Sequence, residues 1–300
     1  MKIKIAIEFV VIIIITTLNP QISFGQNNLE IASLIQMKVN LLEYNCKIVS
    51  EKKAQSIIGD FSFIGSADVE KFINTKLSYI PQIPFSEEEL VNARHQRMIL
   101  ILQFPLTMKD IVEINGPVVS DGHLLFYKEV KEDGYWYKKT DFYNQDTLRF
   151  CWQLVSRDIL PNSVGGKNFI ENLQVVVDYI KTNQWKLSDE YNKATDEFLN
   201  RKAYFQADGR KKLSEFMHLQ ICLLSTESPV EVLYRIVLIH QKMKTRLFVA
   251  DQVITNVIYD NKVVSIGEFD GYFEHSGIHI SLNKYESTFL DRGFTFLRKF

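Results

Sequence analysis

The stretch densest in side chains able to do chemistry runs from Glu268 to His279, Glu-Phe-Asp-Gly-Tyr-Phe-Glu-His-Ser-Gly-Ile-His. His275 and His279 stand four apart, so they share a face in either a helix or a strand. Glu268 or Asp270 can add a carboxylate, and imidazole with carboxylate is a donor set that suits zinc. That pattern would serve a metal-dependent hydrolase. Gly271 and Gly277 oppose it, because they interrupt the rigid helix that zinc motifs of this spacing use, and the same residues read as a solvated hairpin. Ser163-Val-Gly-Gly-Lys167 evokes a phosphate loop. However, Pro161 and Asn168 stand where that motif needs Gly and a hydroxyl residue, so it reads as a helix-to-helix loop. Ser120-Asp121-Gly122-His123 invites a hydrolase reading, yet no Gly-x-Ser-x-Gly elbow supplies a nucleophile. His95, His218 and His240 stand singly on element faces. No catalytic, cofactor or metal residue is assigned on these grounds, and the sequence leans away from an enzyme.

Cys46, Cys151 and Cys222 all sit among apolar neighbours and read as buried thiols; three cysteines allow at most one disulfide. Lys+Arg at 35 against Asp+Glu at 36 leaves no basic excess for nucleic acid. Hydrophobic residues at 46% and charged residues at 24% are ordinary globular values and exclude a disordered chain.

The first 25 residues carry the address. Lys2 and Lys4 precede the apolar run Ile5 to Leu18, Pro20 breaks it, and Ser23-Phe24-Gly25 places small residues for a cut before Gln26. This predicts a signal peptide over 1–25 and a periplasmic or secreted protein. The alternative is an uncleaved N-terminal anchor. No later apolar run approaches the length of about 18 residues that a transmembrane helix needs.

Ser66 is expected to cap a helix with Val69, Phe72, Ile73 and Leu77 on one face. Ser86-Glu-Glu-Glu89 is a capping box opening a helix to about Arg97, followed by a strand over 99–104. Asn115-Gly-Pro117 is the clearest interior punctuation, so the chain divides into an N-terminal α+β region over 26–115 and a C-terminal α+β domain over 116–300. Lys131-Glu-Asp-Gly134 turns a hairpin between 124–130 and 135–139. Leu148, Cys151, Trp152, Val155 and Ile159 form the stripe of a helix; Phe169 to Ile180, Ser188 to Phe198 and Leu213 to Leu224 give three more. Val230, Val232, Tyr234, Ile236 and Leu238 alternate with Glu231 and Arg235 as a half-buried strand. Further strands are expected at 247–258, 262–266, 277–282 and 294–297. Helices over 146–224 and strands over 230–297 predict an α+β fold, an antiparallel sheet against a cluster of amphipathic helices.

Phe126-Tyr-Lys-Glu-Val130 followed by the Trp152 segment, with Tyr234-Arg-Ile-Val-Leu238 and Lys244-Thr-Arg-Leu-Phe248, resembles an uncharacterised family of secreted bacterial proteins with a TATA-binding-protein-like fold. The resemblance implies a curved antiparallel sheet backed by helices, no known activity and no site residues. The leader, the balanced charge, the aromatic richness and the absence of a catalytic motif together give the expectation of an exported soluble protein with a binding or structural role in the cell envelope or outside it, its partner left open with an envelope protein or a glycan as candidates, and no cofactor; the alternative is a metal-dependent hydrolase using the Glu268–His279 cluster.

Overall fold

The computed structural model describes residues 49–117, 125–126, 135–161, 163, 166–183, 189–207, 212–269, 277–284 and 292–298. The elements named below belong to the unit Ser50–Phe300. Ser50 caps α1 (Glu51–Ile58), which leads into the short strand β1 (Phe63–Ile64). In α2 (Ser66–Ile73) the cap position falls to Gly65, one residue before the expected Ser66. Asp68 reaches back to the Gly65 amide at 3.0 Å, and the Ser66 hydroxyl instead donates to Glu51 at 2.7 Å. Helix α3 (Glu87–His95) opens with the reciprocal bonds its sequence predicts, the Glu89 amide to Ser86 Oγ and the Ser86 amide to Glu89. Strand β2 (Met98–Leu102) follows, and Thr107 caps α4 (Met108–Asn115), which ends at Gly116 with φ 79°.

The next two segments depart from expectation. Residues 127–134 lie outside the described residues, but Trp136–Lys139, expected as half of a hairpin, is a 3₁₀ turn leading into the short α5 (Asp141–Asn144). Its backbone is satisfied locally, Lys138 N to Tyr135 O and Thr140 N to Tyr137 O. The segment predicted as the Trp152 helix is strand β3 (Trp152–Ser156). It pairs antiparallel with β2 along its whole length, from Leu102 opposite Trp152 to Met98 opposite Ser156. Every residue of both strands is buried, so neither shows the polar alternation that marks a half-exposed strand.

Helix α6 (Phe169–Thr182) has the predicted stripe and an Asn168–Glu171 capping box, and α7 (Asp189–Ala207) follows. The single helix expected over 213–224 is two short ones, α8 (Leu213–Met217) and α9 (Gln220–Ser225). The largest correction is α10 (Pro229–Met243), read from sequence as a strand. Ser228 caps it, accepting from the Glu231 amide while Glu231 accepts from the Ser228 amide at 2.7 Å, and Pro229 occupies the first helical position. All residues from Pro229 to His240 are buried. A helix enclosed on every side has no polar face, and its apolar residues then fall at any spacing.

Strands β4 (Gln252–Tyr259) and β5 (Lys262–Gly267) form the expected hairpin through Asp260-Asn261, whose positive φ values of 50° and 54° suit the tight turn. The strand expected from 247 starts later, since 247–251 is irregular. Gly267 closes β5 because a Cβ there would stand 2.2 Å from the Asp251 carbonyl oxygen. Among the described residues, strands β6 (His279–Asn283), β7 (Arg292–Gly293) and β8 (Leu297–Arg298) complete two four-stranded sheets, ordered β1-β2-β3-β8 and β6-β5-β4-β7. Each sheet is mostly antiparallel with one parallel pair, β1 with β2 and β4 with β7. The fold is therefore α+β as predicted, with two mixed sheets in place of one antiparallel sheet.

Helix α10 joins these sheets. Tyr234 Oη donates to the Leu102 carbonyl at 3.0 Å in the first sheet, while Val230, Leu233 and Ile236 share a core with Val253, Val264 and Ile266 of the second. The segment between β7 and β8 runs from one sheet to the other, with Phe294, Thr295 and Phe296 fully buried.

Candidate functional site

A cleft of about 620 Å³ opens where the residues before β3, the start of α7, helix α9, the first turn of α10 and β8 converge. That volume suits a small molecule. Its inner wall is built from three buried polar side chains, Gln153 on β3, Glu231 on α10 and Arg298 on β8. The register of β2 and β3 sets Gln103 beside Gln153, and a hydrogen-bonded chain runs through them. Gln103 Nε2 donates to Gln153 Oε1 at 2.6 Å, and Gln153 Nε2 donates to Glu231 Oε1 at 3.2 Å. The other Glu231 oxygen holds the Ser228 amide, so one carboxylate both caps α10 and forms part of the cleft wall.

Arg298 is fixed from behind. Its Nη2 donates to Glu89 Oε1 at 2.5 Å, and its guanidinium lies over the Phe85 ring, 5.4 Å from the centroid. Burial opposes ionisation of Glu89. The Ser86 amide and the Arg298 guanidinium outweigh it and hold the carboxyl below its usual range. A lowered folded-state value means stability that is fully present above the ordinary carboxylate range and lost as pH falls from there through the lowered value. Glu89→Gln should accordingly lower the unfolding midpoint near neutral pH, and in acid denaturation curves the gap should close only as pH falls below the ordinary carboxylate range and through the lowered Glu89 value. A constant gap at all pH values would show that the pair has no such role.

The rim is softer. Gln220 donates to Glu190 at 2.9 Å, Tyr191 Oη donates to the Leu224 carbonyl at 2.9 Å, and Leu148, Leu223 and Leu224 supply aliphatic surface. Arg149 is exposed and forms no ion pair among the described residues. Cys151 is a half-buried thiol in the wall, with no histidine among the residues lining the cleft. Cys222 is fully buried, and desolvation pushes its thiol far above the ordinary range.

Of the described residues singled out from sequence, Cys151 lines the cleft and Glu268, His279, Ser163, His95, His218, His240 and Cys222 are not among its lining residues. Glu268 and His279 are brought together, with Nδ1 3.4 Å from the carboxylate, because Gly267 pairs with His279 across β5 and β6. Asp270 and His275 lie outside the described residues, as do Cys46, His123 and the leader. No group of three or more His, Cys, Asp or Glu is placed to hold a metal among the described residues. Ser163 belongs to no phosphate loop but to a latch, its Oγ donating to Asn172 at 2.8 Å and accepting the Phe294 amide at 2.8 Å. His218 rests against the Ser214 carbonyl, and His240 meets the Phe269 ring edge-on.

Sequence reasoning missed Gln103, Gln153, Glu231 and Arg298. The available signal was Ser228-Pro-Val-Glu231, a second capping box of the same kind as Ser86–Glu89. No helix of the described residues is long and apolar enough to cross a membrane. Comparison with known proteins gave no matching family model, no similar curated protein and no similar solved structure.

Proposed function

We propose that this chain is an exported protein that binds a small polar ligand in the cleft between β3, α9 and α10, without catalysing a reaction. The observation that carries the reading is the inner wall, where Gln153, Glu231 and Arg298 are buried and each is fixed by a hydrogen bond from or to another part of the fold. Preorganised polar groups around a concavity of this size orient a ligand at little entropic cost. The sequence carries no Gly-x-Ser-x-Gly elbow and no other catalytic motif, which favours binding over chemistry. Export rests on the leader, from Lys2 through the break at Pro20.

The test is a cleft-filling variant. Leu223 is 39% exposed on α9 and lines the cleft, so Leu223→Trp adds bulk there without entering the core. In a thermal-shift screen of amino acids, dipeptides and hexoses, the wild-type protein should be stabilised by one class and Leu223→Trp by none, at an unchanged intrinsic melting point. Equal stabilisation of both proteins would remove the cleft as the site. Intact-mass measurement of the exported chain should show Gln26 at its N-terminus; a full-length exported form would favour the anchor.

A further inference from the structure

The sequence contains a single Asn-Gly pair, Asn115-Gly116, and the structure places it where α4 ends against α10. We infer that this pair is a chemical modification site, a point of spontaneous deamidation that the fold restrains through Gln241. The chemistry needs no enzyme. The Gly116 amide nitrogen loses its proton and attacks the side-chain carbonyl carbon of Asn115. The new C–N bond closes a five-membered succinimide ring, and the side-chain nitrogen leaves as ammonia. Water then opens the ring at either carbonyl and gives aspartate or isoaspartate. The net change is amide plus water to carboxylic acid plus ammonia. Glycine favours the step because, without a Cβ, its nitrogen can be approached closely and its backbone can adopt the geometry of attack.

Three hydrogen bonds oppose attack in the folded chain. The Gly116 amide, which must lose its proton, donates to the Val112 carbonyl at 2.9 Å. Asn115 Nδ2 donates to the Gly116 carbonyl at 3.1 Å, and Asn115 Oδ1 accepts from Gln241 Nε2 at 3.0 Å. The first two bonds belong to the last turn and cap of α4, and helix ends open at small cost in free energy. The third comes from another element, which makes Gln241 the tertiary latch. Once the turn opens, the surroundings favour reaction. Asn115 and Gln241 line a recess of about 350 Å³ together with Lys71, Lys242 and Lys244. The carboxylate on that lining, Asp68, is already paired with Lys242 at 2.8 Å. Positive charge nearby stabilises the ionised amide nitrogen and then the product carboxylate. Aspartate at 115 keeps the chain path, whereas isoaspartate inserts one more carbon into the main chain between α4 and Gly116.

The test is incubation of the full chain in mildly alkaline buffer, both folded and in denaturant. Each asparagine is followed by peptide mapping with mass detection and an isoaspartate assay. Asn115 should convert first among the asparagines in denaturant, and more slowly but measurably in the folded chain. Gln241→Leu should speed conversion at Asn115 in the folded chain about fivefold, the worth of one hydrogen bond, and leave the rate in denaturant unchanged. The other asparagines serve as the internal control, because global destabilisation would raise them all. Asn115→Gln, which would have to close a larger ring, should remove the product at this position. A rise shared by all asparagines, or no rise, in Gln241→Leu would overturn the latch. Another asparagine converting first in denaturant, or no product at Asn115 in the folded chain, would overturn the site.

Discussion

Glu227→Gln should destabilise the protein by about 3–5 kcal/mol, the usual cost of breaking a buried ion pair from one side. Glu227 is 2% exposed and Arg235 1%, and their side chains meet directly on the inner side of α10. Arg235 Nη1 also donates to the Ser156 carbonyl at 2.6 Å, Thr295 donates to Glu227 at 2.5 Å, and Phe248 covers the guanidinium at 4.8 Å. One ion pair thereby ties the central helix to β3 and to the segment that crosses between the sheets. Desolvation lowers the Arg235 pKa from its ordinary value, and the charge of Glu227 chiefly opposes that. Neutralising Glu227 leaves the buried cation uncompensated. Since a domain's whole stability is about 5–15 kcal/mol, the single variant should unfold far more readily in denaturant. The double variant Glu227→Leu with Arg235→Met should recover most of the loss, because removing both charges also removes both desolvation penalties. A loss under about 1 kcal/mol for Glu227→Gln would show that water reaches the pair.

What sequence could and could not reveal follows from where each element sits. The Ser86–Glu89 box, the Phe169–Ile180 stripe and the Asp260-Asn261 turn were readable because each has one face in water or a local backbone demand, and both leave a signature within a few residues. Helix α10 and strands β2 and β3 have no wet face. In α10 the ionisable residues Glu231 and Arg235 point inward to partners, so they imitate the outward positions of a strand. The cleft was illegible for a different reason. Gln103, Gln153, Glu231 and Arg298 come from separate elements, and only the pairing of β2 with β3 and the docking of α10 bring them together. No spacing encodes that. The one pair that local sequence did hold, Glu268 with His279, meets because a hairpin register sets it.

Trp152→Ala should cost about 3–5 kcal/mol, the range for deleting a large buried aromatic. A helical reading would place this side chain on a stripe with Leu148 and Val155. The strand instead sends Trp152 and Val155 to opposite sides of the first sheet. Val155 joins the core around α10, while the Trp152 ring stacks on Phe63 with centroids 5.7 Å apart. Its indole N–H donates to the Pro81 carbonyl at 2.8 Å, so the same side chain fixes the irregular segment that leads into α3. Truncation removes the ring from a site 1% exposed and also leaves that carbonyl without its donor. Trp152→Phe separates the two effects: it keeps most of the stacking surface and should cost about 1–2 kcal/mol for the lost hydrogen bond and the small void. Val155→Ala, probing the opposite side of the same strand, should add to Trp152→Phe within about 0.5 kcal/mol, because the two side chains share no partner across the sheet. Strong coupling between them in a double-mutant cycle would mean that both lie on one face, as in the helix.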